Sequence, residues 1–337
     1  MKNILVTGGA GFIGSNFVRM VLDEHPDYTI INLDKLTYAG NLENLAGFLE
    51  NPRHKFVKGD ICDAKLVEKL VSEHKIEAII NFAAESHVDR SITGPRIFIE
   101  TNVTGTLALL EIARDKKIEK FVQVSTDEVY GELGPEGKFT EDTPLSPNSP
   151  YSASKAAADH LVKAFGHTWG LRYNITRCSN NYGPYQFPEK MIPLMINNAL
   201  NDKQLPVYGD GLNVRDWLYV YDHCTAVWKI LTQAPAGEIY NIGGCNEKTN
   251  LEVVRIILNR LGKSESLIKF VADRPGHDRR YAIDASKMMK ELGWKPSVTF
   301  EKGIEKTIDW YRDNKKWLND IVCGDYQKYY DLMYKNR

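Results

Sequence analysis

The sequence feature that most constrains the fold is a run of glycines near the start of the chain. Gly8, Gly11 and Gly14 are spaced as G-x-x-G-x-x-G and directly follow residues 3–7, whose centre is the apolar run Ile4-Leu5-Val6. The first glycine permits a sharp turn, the second lets backbone approach a pyrophosphate, and the third lets a helix pack closely on the strand. A helix N-terminus at this point directs free N–H groups at phosphates. The pattern predicts a strand, a turn and a helix that bind a dinucleotide.

A carboxylate follows the glycine motif at the distance that a dinucleotide site requires. Asp34 ends the second predicted strand, 20 positions after Gly14, where it can accept hydrogen bonds from the adenosine ribose. Asp60 and Ile61 follow the third predicted strand and can flank the adenine. The charge of Asp34 would repel a 2′-phosphate, whereas the adjacent Lys35 would favour one. These residues together predict NAD as the cofactor rather than NADP.

The first half of the chain alternates between short β-branched runs and segments with helical spacing. Such alternation is typical of a parallel sheet covered by helices on both faces. The predicted strands are residues 3–7, 29–33, 55–57, 78–82, 121–125 and 174–177. The predicted helices are residues 13–24, 64–74, 97–114 and 152–169. We therefore predict an α/β fold with a doubly wound parallel sheet of the Rossmann type.

The pattern changes near residue 178, where loops and aromatic residues become more frequent. Helical spacing remains at residues 191–200, 222–231, 251–261 and 304–314. We predict an NAD-binding Rossmann domain at residues 1–178 and a smaller C-terminal substrate-binding domain at residues 179–337. Some strands and helices of the second part are expected to return to the first domain. Residues 328–337 are predicted to lie on the surface.

Charge, hydropathy and cysteine spacing exclude several classes of protein. The 337 residues include 43 basic and 44 acidic side chains, a formal net charge of −1, so no bulk charge favours nucleic acid or anionic membrane. No apolar stretch approaches the roughly 20 residues of a membrane span, and the first residues lack a signal-peptide pattern. The five cysteines are scattered without a C-x-x-C pair, which argues against disulfides and structural zinc. A cytoplasmic protein is predicted.

A tyrosine and a lysine open a predicted helix at a spacing that puts both on one helix face. They are Tyr151 and Lys155, just after Pro150. A tyrosine has an unperturbed pKa of about 10 and is a poor base at neutral pH. A lysine ammonium nearby, together with the positive nicotinamide ring, would favour the phenolate. Such a pair alone is more often a solvated helix face, but here it follows a dinucleotide motif and a strand that ends at Ser125 and Thr126.

These motifs resemble those of the extended short-chain dehydrogenase/reductase family. The resemblance includes Asn81-Phe82-Ala83-Ala84 and Asn180-Asn181-Tyr182-Gly183-Pro184, and it covers essentially the whole chain. It implies that Tyr151 is the catalytic base on a sugar hydroxyl, that Lys155 is its partner and that Thr126 helps by hydrogen bonding. The ligands that the family implies are nucleotide sugars.

Two acids beside the end of the fifth strand indicate which reaction is catalysed. Acids at a strand end are usually solvated or cap a helix, and a plain epimerase or dehydrogenase needs neither. Oxidation of a hexose at C4 makes the C5 proton acidic, so a carboxylate can remove it. The C6 hydroxyl leaves only when an acid protonates it, and hydride then returns to C6. Tyr151, Glu128 and Asp127 can act as base at O4, base at C5 and acid at O6. Because adjacent strand residues face opposite sides of a sheet, the backbone must turn at residues 126–128.

The two acids that follow Thr126 narrow the resemblance, within the family, to the dTDP-glucose 4,6-dehydratases. Further matching stretches are residues 84–91, 182–190, 215–220 and 273–277. The resemblance implies the same roles for the two acids. It also implies that Ser86 lies near sugar and cofactor, that Thr101 touches the cofactor and that Asn181 lies near the nicotinamide.

Three basic residues are spread over the second half of the chain, where a substrate domain would collect them. They are Lys190, Arg215 and Arg274. An arginine fork donates two hydrogen bonds to a phosphate at once, although a single arginine is more often part of a surface salt bridge. Tyr208 is expected to stack on the nucleobase, and His277 is expected to donate to phosphate or ribose.

The candidate residues fall into three groups. The predicted catalytic residues are Thr126, Asp127, Glu128, Tyr151 and Lys155. The predicted cofactor-binding residues are Gly8, Gly11, Phe12, Ile13, Gly14, Asp34, Lys35, Leu36, Thr37, Asp60, Ile61, Phe82, Ala83, Ala84, Ser86, Thr101, Tyr151, Lys155 and Asn181. The predicted substrate-binding residues are Ser86, Thr126, Asn180, Glu189, Lys190, Leu205, Pro206, Tyr208, Arg215, Asn250, Arg274 and His277. No pair of His or Cys has metal-ligand spacing, so no metal site is predicted.

Assembly and three alternative functions complete the expectations. The predicted helices at 97–114 and 152–169 carry Leu107, Leu110, Leu161 and Phe165, which would by default face the sheet. In the resembled family the corresponding helices pair as a four-helix bundle, which implies a homodimer.

The alternative functions are a nucleotide-sugar 4-epimerase, a 4,6-dehydratase that acts on UDP- or CDP-hexose, and a non-catalytic dinucleotide sensor. The adjacent acids argue against the epimerase, and the nucleobase is not fixed without the resemblance.

Overall fold

The computed structural model describes residues 1–322 together with Tyr326 and Tyr330. Cys323 and the predicted surface tail, apart from Tyr330, lie outside the described residues. The strands are Asn3–Thr7 (β1), Thr29–Asp34 (β2), His54–Lys58 (β3), Ala78–Asn81 (β4), Lys120–Thr126 (β5), Tyr173–Cys178 (β6), Asn180–Tyr182 (β7), Leu205–Tyr208 (β8), Val214–Tyr219 (β9), Ile239–Ile242 (β10), Glu247–Thr249 (β11) and Ile268–Val271 (β12).

Helices connect most of these strands. The α-helices are Phe12–Glu24 (α1), Ala64–Glu73 (α2), Val88–Thr93 (α3), Arg96–Phe98 (α4), Thr106–Asp115 (α5), Pro150–Trp169 (α6), Met191–Leu200 (α7), Val220–Gln233 (α8), Asn250–Leu261 (α9), Ser286–Leu292 (α10), Phe300–Asp313 (α11) and Lys315–Ile321 (α12). A π-helical turn, Ile99–Gly105, joins α4 to α5, and short 3-10 helices lie at Leu42–Leu45, Asp127–Tyr130 and Glu265–Leu267.

A seven-stranded parallel sheet organises the molecule. Its strand order is β10-β6-β5-β4-β1-β2-β3, and every neighbouring pair in it is parallel. The chain order reverses between β1 and β4, and ligands of such sheets bind outside the carboxyl ends of the strands at this switch point. The predicted α/β fold with a doubly wound parallel sheet is confirmed.

Apolar helix faces cover both sides of this sheet. On one side Phe17 and Val21 of α1 pack with Val227 and Ile230 of α8. On the other side the apolar stripes of α2, α5 and α6 form a second core, which includes Leu110 and Phe165 and has Leu107 and Leu161 packed against it. Burial on both faces explains why the central strands are almost continuously apolar rather than alternating.

The second half of the chain builds two small sheets and also completes the large one. The small sheets are β11-β9-β7 and β12-β8, and a third apolar core lies between them and α7, α9 and α11. The edge strand β10 returns to pair with β6. The division of the chain after residue 178 stays a prediction. None of the described helices is long and apolar enough to cross a membrane.

Candidate active site

The turn after β1 leaves backbone room for a phosphate group. Gly8 has φ +70°, and a Cβ there would lie 2.6 Å from the Ala83 backbone nitrogen. A Cβ on Gly14 would lie 2.2 Å from the carbonyl oxygen of Gly8, so only glycine allows α1 to pack this closely. Helix α1 begins after Gly11 without a side-chain cap, so its first N–H groups face the switch point. This cradle fits the diphosphate of a dinucleotide.

The Asp34 carboxylate accepts hydrogen bonds from two backbone N–H groups, at the place where the adenosine ribose is expected. Its Oδ2 accepts a hydrogen bond from the Ala10 N–H at 2.9 Å, and its Oδ1 accepts one from the Leu36 N–H at 2.8 Å. Burial raises the pKa of Asp34, while these backbone donors oppose the rise. Each carboxylate oxygen has a second lone pair, so the ribose hydroxyls can still be accepted.

Lys35 forms an ion pair with Asp60, and both residues line the cofactor cleft. Its Nζ lies 2.7 Å from Oδ2 of Asp60, and the side chains are 50% and 31% exposed. The lysine charge that could have favoured a 2′-phosphate therefore already has a carboxylate partner. Together with the Asp34 carboxylate, this pair fits NAD better than NADP.

One continuous cleft connects the glycine turn with the Tyr151 region. Its lining includes the predicted residues Gly8, Gly11, Phe12, Ile13, Gly14, Asp34, Lys35, Thr37, Asp60, Ile61, Phe82, Ala83, Ala84, Ser86, Thr101, Thr126, Asp127, Glu128, Tyr151, Lys155, Asn180, Asn181, Glu189 and Lys190. The predicted residues outside this lining are Leu36, Leu205, Pro206, Tyr208, Arg215, Asn250, Arg274 and His277. The cofactor candidates and the catalytic candidates thus share one space, and most of the second-half candidates lie beyond it.

The backbone turns where β5 ends, as the two neighbouring acids require. Strand β5 ends at Thr126 and a 3-10 helix, Asp127–Tyr130, begins at once. The Thr126 hydroxyl caps this helix by accepting a hydrogen bond from the Glu128 N–H at 3.3 Å. This turn takes Asp127 and Glu128 out of strand alternation and lets both line the cleft.

Asp127 is held in conditions that favour its neutral form. The residue is 2% exposed, and its Oδ2 has no hydrogen-bond partner. Its Oδ1 accepts from the Thr126 hydroxyl at 3.3 Å. Burial holds the pKa of Asp127 well above its usual range, and the like charges of Glu128 and Asp216 raise it further. A protonated carboxyl with a free oxygen in a cleft is suited to donate a proton.

Glu128 is surrounded by positive charge instead. Burial raises the pKa of Glu128, but Arg274, Lys190 and Arg215 all oppose the rise. Three cations stabilise the charged carboxylate, which is the form that removes a proton. The two adjacent acids therefore have environments suited to opposite roles.

Tyr151 lies on the first turn of α6. Ser149 and Ser152 form a reciprocal cap at the start of this helix, which fixes the turn that carries Tyr151. Burial raises the pKa of Tyr151 well above its usual range, Glu128 raises it further, and a hydrogen bond with the Thr126 hydroxyl opposes the rise.

The Lys155 ammonium is directed at the backbone of β5. Its Nζ donates to the Val124 carbonyl at 2.7 Å, and burial lowers the pKa of Lys155. Burial of the phenol dominates the pKa of Tyr151, and the expected stabilisation of the phenolate by Lys155 together with the nicotinamide ring stays a prediction. An added positive charge, such as the nicotinamide ring, is needed to favour the phenolate.

Several candidates from the second half meet at Asp89 of α3. Oδ1 of Asp89 accepts from Nη1 of Arg274 at 3.1 Å, and its Oδ2 accepts from the Tyr208 hydroxyl at 3.0 Å. The Tyr208 ring contacts the His277 ring edge-on, with centroids 6.1 Å apart. This cluster reaches Glu128 through Arg274 and so continues the cleft beyond the catalytic candidates.

The remaining substrate candidates are held by protein groups. Nη2 of Arg215 donates to the Asp278 carbonyl at 2.8 Å. Glu189 forms an ion pair with Arg90 at 2.9 Å, and Nζ of Lys190 donates to the Ser86 carbonyl at 2.6 Å. The other three are Leu205 and Pro206, which lie in β8, and Asn250, which begins α9.

Sequence reasoning did not assign roles to four charged residues of this region. Asp89 and Arg90 lie inside the matching stretch at residues 84–91, so the sequence resemblance could have identified them as site residues. Asp159 lies one further helical turn beyond Tyr151 and Lys155, and Arg177 is a buried charge in strand β6. Among the described residues no group of three or more His, Cys, Asp or Glu side chains is placed to hold a metal ion.

Three comparisons match this chain to 4,6-dehydratases of nucleotide sugars. The family model described as GDP-mannose 4,6 dehydratase matches residues 5–307. The dTDP-glucose 4,6-dehydratase of Xanthomonas campestris pv. campestris is 57% identical, over 97% of this chain and 98% of that protein. The crystal structure of dTDP-glucose 4,6-dehydratase from Bacillus anthracis in complex with NAD has a TM-score of 0.90 and 54% identity, covering 95% of this chain and all of the other.

An enzyme with a different reaction shares the same scaffold. UDP-glucose 4-epimerase from Thermotoga maritima, solved with UDP-glucose, has a TM-score of 0.87 and 30% identity, over 93% of this chain and 99% of the other. Backbone similarity therefore does not separate a dehydratase from an epimerase, and the separation depends on the side chains of the cleft.

Proposed function

The chain belongs to the dTDP-glucose 4,6-dehydratase family, and from this premise we propose how its residues remove water from dTDP-glucose. The product is dTDP-4-keto-6-deoxyglucose, and NAD is the cofactor. The reaction is redox-neutral overall, because bound NAD takes a hydride from C4 and later returns it to C6. The residues of the chain must therefore remove protons from O4 and C5, donate a proton to O6, and return a proton to C5 when hydride adds to C6.

Tyr151 removes the proton from O4 when C4 is oxidised. Its burial keeps it protonated until a positive charge lies beside it, which couples its action to the loaded site. Thr126 shares its hydroxyl between Tyr151 and Asp127, and so orients the O4 end of the sugar. Lys155, fixed on the Val124 carbonyl, supplies a cation at the ribose side of the cleft.

The environments of Asp127 and Glu128 carry the assignment to dehydration. Glu128, with three cations around it, takes the C5 proton that the neighbouring ketone has made acidic. Asp127, buried and neutral, gives its proton to the departing hydroxyl at C6 through its unpartnered Oδ2. An epimerase needs neither group, since it moves no proton at C5 and releases no water.

The same cations are placed to hold the diphosphate of the substrate. Lys190, Arg215 and Arg274 all lie close enough to Glu128 to act on its pKa, so they form one positive region at the sugar end of the cleft. We propose that Arg215 and Arg274 bind the diphosphate and that Tyr208 contacts the nucleobase. A matching UDP- or CDP-hexose remains the alternative substrate at this position.

Incubation with dTDP-glucose in D₂O tests the function directly. The product is expected to have lost one water and to carry deuterium at C5, with no lasting NADH absorbance. A C4 epimer of unchanged mass would establish the epimerase instead. UDP-glucose and CDP-glucose serve as matched substrates, and faster turnover of either would reassign the nucleobase. Bound NAD without turnover of any sugar nucleotide would favour a non-catalytic dinucleotide sensor.

We further propose a homodimer in the cytoplasm. The four described cysteines, Cys62, Cys178, Cys224 and Cys245, are free thiols, which suits a reducing compartment. Support for the dimer comes from exposed apolar side chains near the helices that the family pairs, and it is developed below with its test.

A further inference from the structure

A buried ion pair lies directly behind the catalytic helix. Oδ2 of Asp159 on α6 accepts from Nε of Arg177 on β6 at 3.0 Å, and the side chains are 0% and 2% exposed. Removing two charges from water costs several kcal/mol per ion, and a packed apolar pair often does as well for stability. Stability alone is therefore a weak reason for these two residues to be charged.

Further contacts fix the arginine of this pair. Its Nη1 donates to the Tyr130 hydroxyl at 3.0 Å, and that hydroxyl donates to Oδ1 of Asn241 at 2.7 Å. The guanidinium also lies over the Tyr130 ring, 4.9 Å from its centroid. The network thus joins β6, β10 and the 3-10 helix that carries Asp127 and Glu128, and Arg177 has little freedom to move.

The carboxylate of the pair lies one helical turn beyond the catalytic lysine and acts on its pKa. Tyr151, Lys155 and Asp159 are spaced by four residues along α6, so they follow one another on one face of the helix. The titratable groups that act on Lys155 in the described part of the chain are Asp159, on its own helix, and the Cys178 thiol on β6. Burial raises the pKa of Cys178 to about 12, so that group is neutral at physiological pH.

One oxygen of Asp159 is left for this interaction. Oδ2 is used by Arg177, while Oδ1 has no hydrogen-bond partner at ordinary distance. Burial raises the pKa of Asp159, and Arg177, Lys155 and the Ser125 hydroxyl oppose the rise. The two adjacent cations favour the charged carboxylate, which is anchored on one side by Arg177 and lies one helical turn from Lys155.

We propose that the Asp159–Arg177 pair is a positioning unit that keeps the buried Lys155 ammonium charged and fixed beside Tyr151. The role rests on the proposed function, because it is the lysine of that reaction that the pair serves. Without the carboxylate, Lys155 would keep only the Val124 carbonyl as a partner in a buried site. Loss of its charge would weaken both the hold on the nicotinamide ribose and the stabilisation of the Tyr151 phenolate.

The test is the pH dependence of Asp159→Asn in the full-length, NAD-loaded protein. Removing an adjacent opposite charge lowers the pKa of a lysine, so Lys155 should lose its proton earlier as the pH rises. The basic limb of kcat/KM for dTDP-glucose is expected to move to lower pH by about one to two units. Asp159→Glu should move it back toward the wild-type position.

A second variant separates this role from simple packing. Asp159→Asn alone leaves Arg177 buried and unpaired, and the fold is expected to weaken for that reason. Asp159→Asn with Arg177→Met removes both charges and should recover the melting temperature but not the pH profile. If the double variant regains the wild-type pH profile as well, the pair is only structural and the proposal is wrong.

Equilibrium binding of NAD supplies a readout that does not need turnover. The affinity of Asp159→Asn for NAD, measured by calorimetry across pH, should fall at lower pH than that of the wild type. A wild-type protein that binds NAD but does not dehydrate dTDP-glucose would overturn the proposed function and leave this comparison intact. Superimposable NAD-binding profiles of variant and wild type would overturn the role of the pair.

Discussion

Asp127 and Glu128 are adjacent in the chain, yet their surroundings prepare them for opposite proton transfers. Asp127 has an unpartnered oxygen and like charges nearby, whereas Glu128 faces Arg274, Lys190 and Arg215. Burial raises the pKa of both groups, but like charges add to the rise at Asp127 while the three cations oppose it at Glu128. The proposed proton donor, Asp127, and the proposed proton acceptor, Glu128, are therefore consecutive residues.

Replacing each acid by its amide should stop the reaction at a different stage. Glu128→Gln should still allow oxidation at C4, so NADH absorbance should build up while no deuterium enters C5. Asp127→Asn should still exchange the C5 proton for solvent deuterium but expel little water. Each change should lower kcat about 10²- to 10⁴-fold, the usual contribution of a positioned acid or base. Stopped-flow absorbance and mass spectrometry of the sugar distinguish the two.

The pH dependence of elimination follows from the raised pKa of Asp127. The acid is active while protonated, and burial extends that form to higher pH than for an ordinary carboxyl. Elimination should therefore persist to higher pH than an ordinary carboxyl would allow, and fall as the pH rises through this raised pKa. Equal stages of arrest in the two amide variants, or exchange at C5 by Glu128→Gln, would contradict the assignment.

Side-chain identity was predictable at the residue scale, but side-chain environment was not. The sequence pattern located Tyr151, Lys155, Asp127 and Glu128 because their spacing and order are local. It did not reveal that the Lys155 ammonium binds the Val124 carbonyl or that burial raises the pKa of Tyr151. Those facts depend on how β5 and α6 pack, which no short motif encodes.

Among the elements, the short helix α3 and the loop before it connect the cofactor cleft to the second half. The Ser86 carbonyl accepts from Lys190, Arg90 pairs with Glu189, and Asp89 holds Arg274 and Tyr208. Since Ala83 and Ala84 upstream line the cleft, one segment of chain positions groups on both ligands. Its contacts are polar rather than apolar, which explains why hydrophobic periodicity did not single it out.

Asp89→Asn is expected to weaken substrate binding more than catalysis. The amide keeps one acceptor oxygen but loses the charge that orients Arg274, and hydrogen bonds to charged groups contribute about 1.5–3 kcal/mol. KM for dTDP-glucose and the Kd for dTDP should rise about tenfold or more, while kcat changes little. Steady-state kinetics and calorimetry give the two values.

An exposed ion pair in the same half provides the control for Asp89. Asp202 pairs with Lys263, and its side chain is 70% exposed, so Asp202→Asn should change neither KM nor Kd. If Asp89→Asn reduced kcat and left dTDP affinity unchanged, Asp89 would not act through Arg274.

Long buried elements were predictable from the sequence and short ones were not. Five of the six strands of the first half are almost continuously buried, and the six predicted ranges overlap the observed ones. Strands β7, β8, β11 and β12 have only three or four residues each, too few for periodicity to appear. The predicted helix at 97–114 contains a π-helical turn at Ile99–Gly105, and such turns occur often at functional sites; Thr101 in this turn lines the cleft.

At the scale of the whole molecule, the surface near α3, α4 and α6 carries the support for a dimer. Ile92, Ile97, Ile99 and Trp169 are 38%, 39%, 50% and 52% exposed. They account for four of the nine large apolar side chains exposed in the described part of the chain. Ile92, Ile97 and Ile99 are close in the chain, and exposed apolar side chains that lie together are typical of an interaction surface.

A change on this surface should dissociate the dimer. The wild type is expected to have twice the 38.3 kDa chain mass at micromolar concentration, and Ile99→Asp should give the monomer mass by light scattering. Phe270→Asp is the matched control, because Phe270 is 55% exposed on β12, away from these helices. A wild type of monomer mass would contradict the dimer.

Elements of the second half of the chain also contact the large sheet. The sequence predicted that some of them would return to it, but not which ones. Lys120 of β5 donates to the carbonyls of Ile230 and Ala234 at the end of α8, at 2.8 and 2.6 Å. Burial lowers the pKa of this lysine to about 8. The expectation that later elements return to the sheet carried no residue numbers, because contacts between distant segments leave no local pattern.

The late arrival of β10 has a consequence for synthesis on the ribosome. Strand β6 is complete at residue 178, but its partner does not begin until residue 239. At about 5–20 residues per second, the 60 residues between them take several seconds to translate. During that interval the nascent sheet has a bare edge, which is a template for pairing with a foreign strand. Aggregation is therefore expected to threaten the half-made chain more than the finished protein, and chaperones should bind it at that stage.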